Sequence, residues 1–576
     1  MADYTNIISK IAKLQQDYRV KGTSIVIADS SKILLSEHRG FADFYGERKV
    51  DDATKFKIGS ITKILTAISI MQLVEENLID LDVDIRTYIP EFTIKNRFEN
   101  FKITTRHILM HRSGIPCNNY EMMLAREARD YNEIISYLAD QYLIAPPGKM
   151  FAYSNIGYTL LGIVIERVSK KKYTDYVQKN IFNPLGIEAN FICTPEDFRQ
   201  HKYEVSRSYN NLGEEKEDYL ATFLPAGSNT YMSALDCLKI AQMFLNGGRL
   251  GSKRILKAET VAMMLQKPNF EDEEGHKIGL GLVFDQYQFP GMGDVVGHSG
   301  GTMFHFSQMV FLPEQGIAAV MLTNSSNGFS FIRRVLIPLI EITLQDKGYK
   351  KQFNKRTKKT YCTFRIEEYT GIYPTATLPI YISYKKCLRL KMGAIRAKMF
   401  LKNNNWFDLK PIGLSILFGN AIKMIELKIE KNILSLKRNY KNGQSEIQSV
   451  GIYVKPFDIL PTWLMACGRY ASLVEPKHSV AGRIKLFIKD QFLMAKLSGG
   501  ADRNHVLVLG TANETEAIVL GHGPGTSETI FISNKTLSYM GNKFIRESWL
   551  KTFFRRLKLN KLGEGIKRFF RSKNKK

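Results

Sequence analysis

The chain has 576 residues, a formal net charge of +26 at pH 7 and 44% hydrophobic residues. This length exceeds what one hydrophobic core normally serves, so we expect roughly two to four domains. No stretch of about eighteen uninterrupted apolar residues occurs and the start lacks an apolar signal segment, so we expect a cytoplasmic chain. The six cysteines show neither Cys-x-x-Cys spacing nor partnered histidines, which argues against a metal site and a disulfide framework.

Much of the positive charge lies in GYKKQFNKRTKK, at 348–359, and in the last thirty residues. Such an excess fits an anionic partner, for which nucleic acid, cell-wall polymer and acidic lipid are candidates. The basic runs carry no nucleic-acid motif and are not interleaved with base-stacking aromatics. We therefore expect no nucleic-acid partner.

Periodicity predicts a mixed α+β domain over residues 1–345. Early and late strands flank a long helical middle, which implies that both ends of the domain meet in one antiparallel sheet, with Ser60 at its junction with the helices. The predicted elements are a helix at Thr5–Tyr18, strands at Thr23–Ile27, Ile33–His38, Ile278–Phe284, Phe306–Leu312 and Ile317–Leu322, and a helix at Ile332–Leu344.

The first chemical motif is Ser60-Ile61-Thr62-Lys63, which follows Gly59 at the start of an apolar helical segment. A lysine three residues after a serine stands on the same helical face, where it can serve as the base that a serine nucleophile requires. The helix N-terminus also favours a developing anion there. The alternative role for Ser60 is a helix N-cap. The same spacing recurs at Ser169/Lys172, Ser383/Lys386 and Ser572/Lys575.

The second motif is Tyr153-Ser154-Asn155, placed after a Pro-Pro-Gly turn and before a helix predicted from about Gly157 to Val168. A tyrosine near a lysine ammonium has a stabilised phenolate, and could accept the serine proton and pass it to a leaving group. Asn155 could hold a substrate amide. Whether Lys63 or Tyr153 takes the first proton stays open, because a coupled pair titrates as a unit.

The third motif runs from Gly297 to Thr302 and contains His298, Ser299, Gly300 and Gly301, just before a strand-like segment. Glycines let a ligand approach the backbone closely, as the edge strand of an active site requires. The N–H of Gly301, with that of Ser60, would complete an oxyanion hole. The alternative for His298 is a surface histidine with satisfied hydrogen bonds.

Together and in this order, the three motifs resemble the serine β-lactamase and penicillin-binding-protein-like superfamily, in its class C β-lactamase, D,D-peptidase, D-aminopeptidase and esterase branch. Stretches such as ITTRHILMHRSGI and PAGSNTYMSALDCLKIAQMFLNGGRLGSKRILKAETVAMM support the resemblance. It implies that Ser60, Lys63 and Tyr153 are catalytic and that Asn155 and residues 298–301 bind substrate. His298-Ser299-Gly300 replaces the Lys-Thr-Gly of β-lactamases, as in the D,D-peptidase and D-aminopeptidase members.

Beyond a basic linker at 346–360, short alternating segments predict two barrel-like β domains at 361–456 and 463–548. They open with EEYTGIY and MACGRYASL and resemble the lipocalin-like barrels that follow the hydrolase domain in several superfamily members. Such barrels could stabilise the enzyme or overhang its active site. The tail at 549–576 has apolar residues at helical spacing against a basic face. It is either a peripheral contact with an anionic membrane surface, or a disordered or packed basic end.

We therefore expect a serine hydrolase that acts through an acyl-enzyme on a D-amino-acid peptide or amide, or a small ester, without metal or organic cofactor. The alternatives are a broad esterase, a weak β-lactamase or, in another class, a non-catalytic scaffold at the membrane surface. Because histidine titrates near neutrality, carboxylate-bearing substrates are expected to bind better as pH falls toward 6. The sequence leaves the oligomeric state open.

Overall fold

The computed structural model describes residues 2–98, 102–124, 130, 132–218, 226–268, 277–284, 287, 289, 291–350, 369–402, 406–430, 432–439, 445–475, 479–500, 504–521, 526–533 and 535–547. The predicted tail at 549–576 and residues 351–360 of the predicted linker lie outside these ranges. Within them, no helix combines the length and apolar character needed to cross a bilayer.

The first part of the chain is built on a six-stranded antiparallel sheet. Six of the strands in this part form that sheet and the others form small separate sheets. The strands are β1 (Gly22–Asp29), β2 (Ile33–Asp43), β3 (Arg48–Lys49), β4 (Phe56–Lys57), β5 (Asn190–Phe191), β6 (Ser208–Tyr209), β7 (Glu215–Lys216), β8 (Thr230–Met232), β9 (Arg249–Leu250), β10 (Lys253–Arg254), β11 (Val296–Gly301), β12 (Phe306–Leu312) and β13 (Ile317–Thr323). The order in the sheet is β11-β12-β13-β1-β2-β3. Val26 of β1 pairs with Val320 of β13, so early and late strands meet as predicted.

Helices cover both faces of this sheet, because successive side chains of a strand point to opposite sides. They are α1 (Thr5–Tyr18), α2 (Thr62–Glu75), α3 (Thr105–Leu109), α4 (Tyr120–Met123), α5 (Glu133–Ala139), α6 (Asn155–Ser169), α7 (Tyr173–Val177), α8 (Asn183–Leu185), α9 (Pro195–His201), α10 (Ala234–Leu245), α11 (Ala258–Met264) and α12 (Gly328–Gln345). Ile25 and Ile27 share a core with α1 and α12. Val26 and Ala28 share the other core with α2, α6 and α10.

Most of the predicted elements of this region are confirmed, and one strand is wrong. Helix α1 has the predicted bounds, and α12 contains the predicted helix at Ile332–Leu344. The predicted strand at Ile278–Phe284 folds back on itself instead, since Ile278 makes a bridge with Val283 of the same segment. Gly281 has φ +81°, a left-handed conformation that breaks an extended strand.

The next part is an eight-stranded antiparallel sheet in sequential order, which we call the first barrel. Its strands are β14 (Gly371–Tyr373), β15 (Ile380–Tyr384), β16 (Leu388–Met392), β17 (Ile395–Leu401), β18 (Trp406–Pro411), β19 (Ile425–Glu430), β20 (Ile433–Asn439) and β21 (Ser445–Ile452). A bridge between Ile372 and Val454 joins the two ends of the sheet. A 3-10 turn at Gly413–Phe418 and helix α13 (Gly419–Ile422) connect β18 to β19.

The last part is a closed barrel, the second barrel, preceded by helix α14 (Pro461–Ala466). Its strands are β22 (Gly468–Ser472), β23 (Arg483–Lys489), β24 (Phe492–Ser498), β25 (Val506–Thr511), β26 (Glu516–Leu520), β27 (Thr529–Ser533), β28 (Thr536–Tyr539) and β29 (Asn542–Arg546). Pairing of β22 with β29 closes the barrel. Its core contains the fully buried Trp463 and also Cys117 of the first domain, so the two parts pack together.

Candidate active site

Ser60 lies in a 3-10 turn at Gly59–Ile61 that runs directly into α2. Lys63 is in the first turn of that helix, and its Nζ is 3.0 Å from Ser60 Oγ. The structure thus forms the Ser-x-x-Lys pair that the spacing predicts, with both side chains on one helical face.

The surroundings of Lys63 favour a neutral amine. Its Nζ also lies 2.7 Å from Asn155 Oδ1 and 3.0 Å from the carbonyl oxygen of Gly227. Both oxygens can only accept hydrogen bonds, so each takes one N–H, and the third tetrahedral position of the nitrogen faces Ser60. Burial lowers the pKa of Lys63 to about 7. A lone pair can therefore face the serine hydroxyl at neutral pH.

Tyr153 approaches Ser60 from the segment before α6. Its hydroxyl donates a hydrogen bond to Ser60 Oγ at 3.0 Å, and its ring stacks on His111 with 4.1 Å between ring centres. Burial raises the pKa of Tyr153, and the hydrogen bond with Ser60 offsets this only in part. Tyr153 thus keeps its proton, which disfavours the phenolate expected from the sequence.

Hydrogen bonds of Ser154 hold Tyr153 in place. Its hydroxyl caps α6 by accepting from the N–H of Gly157 at 2.8 Å, and donates to the carbonyl of Pro116 at 2.7 Å. Its own N–H donates to His111 Nδ1 at 3.0 Å. The cap and the histidine together fix the residues on either side of Ser154.

Asn155 is the first residue of α6, and hydrogen bonds at its side-chain oxygen and its side-chain nitrogen fix its orientation. While Oδ1 accepts from Lys63, Nδ2 donates to Asn118 Oδ1 at 2.7 Å, which supports this assignment of oxygen and nitrogen. The N–H of Asn155 donates to the carbonyl of Cys117 at 2.9 Å. Asn155 therefore links the lysine to the loop that contains Cys117 and Asn118.

The third motif forms β11, at the edge of the sheet. Gly297 exchanges two backbone hydrogen bonds with Val283, of 2.8 and 3.0 Å, on the side away from β12. Backbone N–H groups alternate sides along a strand, so those of Ser299 and Gly301 point toward the same open side. The predicted edge strand therefore presents the Gly301 N–H outward.

Two glycines allow β11 to lie against the serine turn. A Cβ on Gly59, which has φ +54°, would be 2.9 Å from the nitrogen of Gly301. A Cβ on Gly300 would be 1.9 Å from the carbonyl oxygen of Ile58, which also accepts from Ser307 Oγ at 2.7 Å. Only glycine fits at both positions. The close approach brings Ser60 beside the outward N–H of Gly301.

The family model described as Beta-lactamase matches residues 7–338, more than half of the chain. The chain belongs to the beta-lactamase family. We refer to the region up to Gln345 as its beta-lactamase domain.

Curated relatives agree with this assignment. Penicillin-binding protein 4 of Amycolatopsis lactamdurans is 26% identical over 342 residues, which cover 57% of this chain and 87% of that protein. Protein flp of Staphylococcus aureus (strain N315) is 31% identical over 171 residues, which cover 30% of this chain and 34% of flp. The chain thus spans about a third of the length of flp.

Two solved structures share the fold. The crystal structure of SurE superposes with a TM-score of 0.56 at 21% identity, covering 77% of this chain and 98% of SurE. The octameric penicillin-binding protein homologue from Pyrococcus abyssi gives a TM-score of 0.52 at 23% identity, covering 77% of this chain and all of that one. At these identities the likeness concerns the fold.

The expected titration of His298 near neutral pH is wrong. His298 is only 5% exposed, and burial, with the nearby Lys63, lowers its pKa to about 4. Its Nδ1 is 2.6 Å from the carbonyl oxygen of Ser299 and therefore carries the proton. The sequence suggested a titrating or surface histidine, whereas the beta-lactamase domain encloses a neutral one.

A buried polar cluster lies behind the turn from β11 to β12, and no sequence motif predicted it. Thr302 Oγ1 donates to Asp218 at 3.0 Å, and the Thr302 N–H donates to the carbonyl of His305 at 2.9 Å. His305 Nε2 is 2.9 Å from Ser206 Oγ. Burial alone would raise the pKa of Asp218, but the charge of Lys57 and the contacts with His305 and Thr302 together hold that pKa below its usual range. The cluster fixes the turn that follows Gly301.

The second barrel also contacts the loop beside the active site. Glu528, between β26 and β27, is buried and its carboxylate accepts from the N–H of Cys117 at 2.8 Å. The N–H of Tyr120 donates to the carbonyl of Met540 at 2.9 Å. At the rim, Arg97 makes an ion pair with Glu516 at 3.0 Å. The barrel thus packs against the loop that carries Asn118.

Sequence reasoning missed His111, Asn118 and Glu528. His111 lies in the stretch ITTRHILMHRSGI, which supported the family resemblance and could have drawn attention to it. Asn118 lies shortly after the end of that stretch. No local pattern marks Glu528, because it meets its partner across 411 positions. The five cysteines that the structure describes are free thiols, and no group of His, Cys, Asp and Glu in the same residues could hold a metal.

Proposed function

We propose that this member of the beta-lactamase family hydrolyses a D-amino-acid peptide or amide, or a small ester, through an acyl-enzyme on Ser60. The observation that carries the proposal is the environment of Lys63. Two acceptor-only oxygens occupy two of its N–H groups and leave the third direction for Ser60 Oγ, 3.0 Å away. With a pKa of about 7, the buried amine can act as the base.

Acylation begins with transfer of the Ser60 proton to Lys63 as Oγ attacks the substrate carbonyl carbon. The N–H groups of Ser60 and Gly301 stabilise the resulting oxyanion. The Tyr153 hydroxyl, in contact with Ser60 Oγ, gives its proton to the departing nitrogen or oxygen and is reprotonated from Lys63. The leaving group departs with one proton and the acyl group stays on Ser60. Water then gives a proton to Lys63 as it attacks the ester carbon, the bond to Ser60 Oγ breaks, and Ser60 Oγ takes that proton while the carboxylic acid product leaves.

The substrate class rests on the third motif. His298, Ser299 and Gly300 stand where β-lactamases carry Lys-Thr-Gly, and the low pKa of the buried His298 leaves a neutral ring at this position. A neutral group attracts a substrate carboxylate less than an ammonium would. This favours uncharged amides or esters, and slow turnover of β-lactams, over efficient β-lactamase activity. Asn155 and residues 298–301 would orient the substrate.

The test combines labelling with turnover. A fluorophosphonate and a fluorescent penicillin are applied to the whole chain and the modified residue is identified by mass mapping. Ser60→Ala should lose labelling and several orders of magnitude in kcat. Ser383→Ala is the matched control, because Ser383 precedes Lys386 at the same spacing but lies exposed on the first barrel.

Comparison of D-amino-acid anilides with p-nitrophenyl esters then separates a peptidase or amidase from a broad esterase. Rapid hydrolysis of penicillins would identify a β-lactamase instead and would refute the substrate class proposed here. Near-wild-type ester turnover by Ser60→Ala would refute the nucleophile. If the wild-type chain neither labels nor hydrolyses any of these substrates, a non-catalytic scaffold replaces the proposal.

A further inference from the structure

Basic side chains pair directly across three neighbouring strands of the first barrel. Arg389 of β16 is opposite Lys398 of β17, which is opposite Lys410 of β18. One step along the strands, Lys391 is opposite Arg396. The intervening residues point into the barrel core, namely Leu388, Leu390, Ala397, Met399 and Leu409. The five basic residues therefore share the outer surface, which we call the cationic face.

Like charges directly opposite one another on neighbouring strands are destabilising. Within the described residues, none of the five makes an ion pair, and the nearby carboxylates are engaged elsewhere. Asp408 and Glu426 both contact Lys402, at 3.2 and 2.6 Å. The Nε–H of Arg389 is buried without a hydrogen-bond partner in the described structure. The Nζ of Lys391 lies 6.0 Å from the centre of the Tyr381 ring, a contact that supplies no carboxylate. The cationic face thus has no acidic partner within the described residues, and an anionic partner would neutralise its charge.

An exposed apolar turn adjoins the cationic face. In the 3-10 turn at Gly413–Phe418, the exposed fractions are 83% for Leu414, 65% for Ile416 and 81% for Leu417. We call these three residues the apolar tip. Large apolar side chains clustered in this way on a surface mark contact with another apolar phase.

Backbone hydrogen bonds fix the apolar tip to the end of the cationic face. The N–H of Arg396 donates to Ser415 Oγ at 2.7 Å, and the N–H of Ile412 donates to the carbonyl of Arg396 at 3.0 Å. Arg396 belongs to the cationic face, and Lys398 lies two residues further from the tip, or roughly 7 Å along the strand. The apolar and cationic surfaces therefore have a fixed relative position.

We propose that the first barrel docks on an anionic lipid bilayer, with the apolar tip inserted and the cationic face at the headgroups. Interfacial apolar groups enter the boundary between headgroups and acyl chains by about 5–10 Å, which leaves Arg396 and Lys398 at the depth of the phosphates. The charge of this region agrees, since residues 361–456 contain sixteen Lys and Arg against six Asp and Glu.

Other partners would complement either the charge of the cationic face or the apolar character of the tip, but not both. A second copy in a two-fold dimer would bring one cationic face toward the other. Nucleic acid would neutralise the charge but would leave Leu414 and Leu417 in water. A bilayer with acidic headgroups provides both the apolar phase and the negative charge. The site is separate from Ser60 and does not depend on the proposed hydrolase activity.

The first experiment measures partition of the full chain onto sucrose-loaded vesicles of phosphatidylglycerol and phosphatidylcholine, with phosphatidylcholine vesicles as the neutral reference. The tip variant combines Leu414→Ser, Ile416→Ser and Leu417→Ser. Its matched control replaces three comparably exposed apolar residues elsewhere, at Leu212, Met465 and Leu473. We expect the tip variant to lose at least about tenfold in partition coefficient and the control to keep wild-type binding. Equal binding by wild type and tip variant would overturn the proposal.

The second variant neutralises the cationic face through Lys391→Gln, Lys398→Gln and Lys410→Gln. Each lysine near an anionic surface adds favourable electrostatic binding energy, so loss of three should lower the partition coefficient on the order of 100-fold. Binding of the variant should also depend less on salt concentration. The same substitution at the exposed Lys170, Lys253 and Lys257 is the control for net charge. Equal losses in the variant and this control would overturn the proposal, because binding would then follow net charge alone.

Depth of insertion distinguishes a bilayer from other anions. Tryptophan at position 417, introduced by Leu417→Trp, should be quenched by brominated lipid, whereas Leu473→Trp on the second barrel should not be. Absence of quenching at 417 in bound protein would refute insertion. Sedimentation velocity tests the second copy as occupant, since a dimer that the tip variant converts to monomer, without change in vesicle binding, would also refute the proposal.

Discussion

Replacement of Glu528 by glutamine tests the contact between the second barrel and the active-site loop. Burial raises the pKa of this carboxyl to about 7, and the hydrogen bond from the Cys117 N–H offsets the effect only in part. Glutamine keeps the size of the side chain and an oxygen that accepts the same hydrogen bond at 2.8 Å. It removes only the ionisation, so the variant isolates the cost of a buried charge.

The pKa of Glu528 sets both the direction and the size of the effect. A glutamate has an ordinary pKa of 4.5, so between pH 4.5 and about 7 the folded state binds a proton that the unfolded chain has released. The free energy of unfolding therefore falls as pH rises through this window and stays reduced above it. The full difference is on the order of 3 kcal/mol. Glu528→Gln should be more stable than wild type at pH 8 by up to about that amount, and equally stable near pH 4.5.

Urea unfolding at pH 5, 6, 7 and 8 measures this difference. Trp463, buried in the second barrel, reports its unfolding by fluorescence once Trp406 and Trp549 are replaced by phenylalanine. The gap between the variant and wild-type midpoints should widen with pH and level off above about 7. A constant gap, or a variant less stable than wild type at pH 8, would refute the reasoning.

Three further predictions concern the proposed catalytic groups. The value of kcat/KM for a soluble ester should rise with pH and level off above about 7, because only the neutral Lys63 accepts the serine proton, and a flat profile from pH 5.5 to 8.5 would contradict this. Gly59→Ala should lower kcat by at least about 100-fold, since its Cβ would displace Gly301 from the proposed oxyanion hole. Gly251→Ala controls for backbone strain, because Gly251 has φ +57° and an added Cβ there would contact no described atom within 4 Å. His298→Asn should leave the shape of the pH profile unchanged above pH 5.5, because the pKa of His298 is already about 4, and a shifted acidic limb would show that it titrates there.

Local patterns were sufficient for much of the beta-lactamase domain. Apolar spacing predicted α1 with its observed bounds, and Ser60 with Lys63 required only the geometry of one helical turn. The pattern failed at Ile278–Phe284, where alternating apolar residues suggested a strand. Gly279 and Gly281 lie within that segment, and the left-handed Gly281 turns it back on itself. The alternation of apolar residues indicates which side chains are buried, but it does not indicate where the chain reverses direction.

Long-range properties of the site could not be predicted in this way. The pKa of His298 depends on how deeply the fold encloses the ring and on its distance from Lys63, neither of which is visible in a motif. Glu528 belongs to a different domain from its partner Cys117, and a single glutamate in a β-rich segment is typical of a solvated loop. Only the packing of the second barrel against the first domain gives Glu528 its role.

Three hydrogen bonds connect that barrel to Lys63, the proposed base. Glu528 accepts from the N–H of Cys117, the carbonyl of Cys117 accepts from the N–H of Asn155, and Asn155 Oδ1 accepts from Lys63. If these hydrogen bonds orient Lys63, the second barrel contributes to catalysis as well as to the stability of the fold. Arg97 also contacts this barrel, at Glu516 and at Thr529, but among the described residues it has no hydrogen bond to Cys117 or Asn155.

Glu528→Ala should consequently lower kcat for a soluble ester by about tenfold with little change in KM, because it leaves the Cys117 N–H without its acceptor and loosens the loop that holds Asn155. Arg97→Ala removes an ion pair with the same barrel, in which the side chains of Arg97 and Glu516 are 24% and 13% exposed, so it should reduce stability and leave kcat unchanged. Both variants are compared at a temperature at which each is folded by circular dichroism. Equal kcat values for the two variants would mean that the second barrel supports the active site only by stabilising the fold.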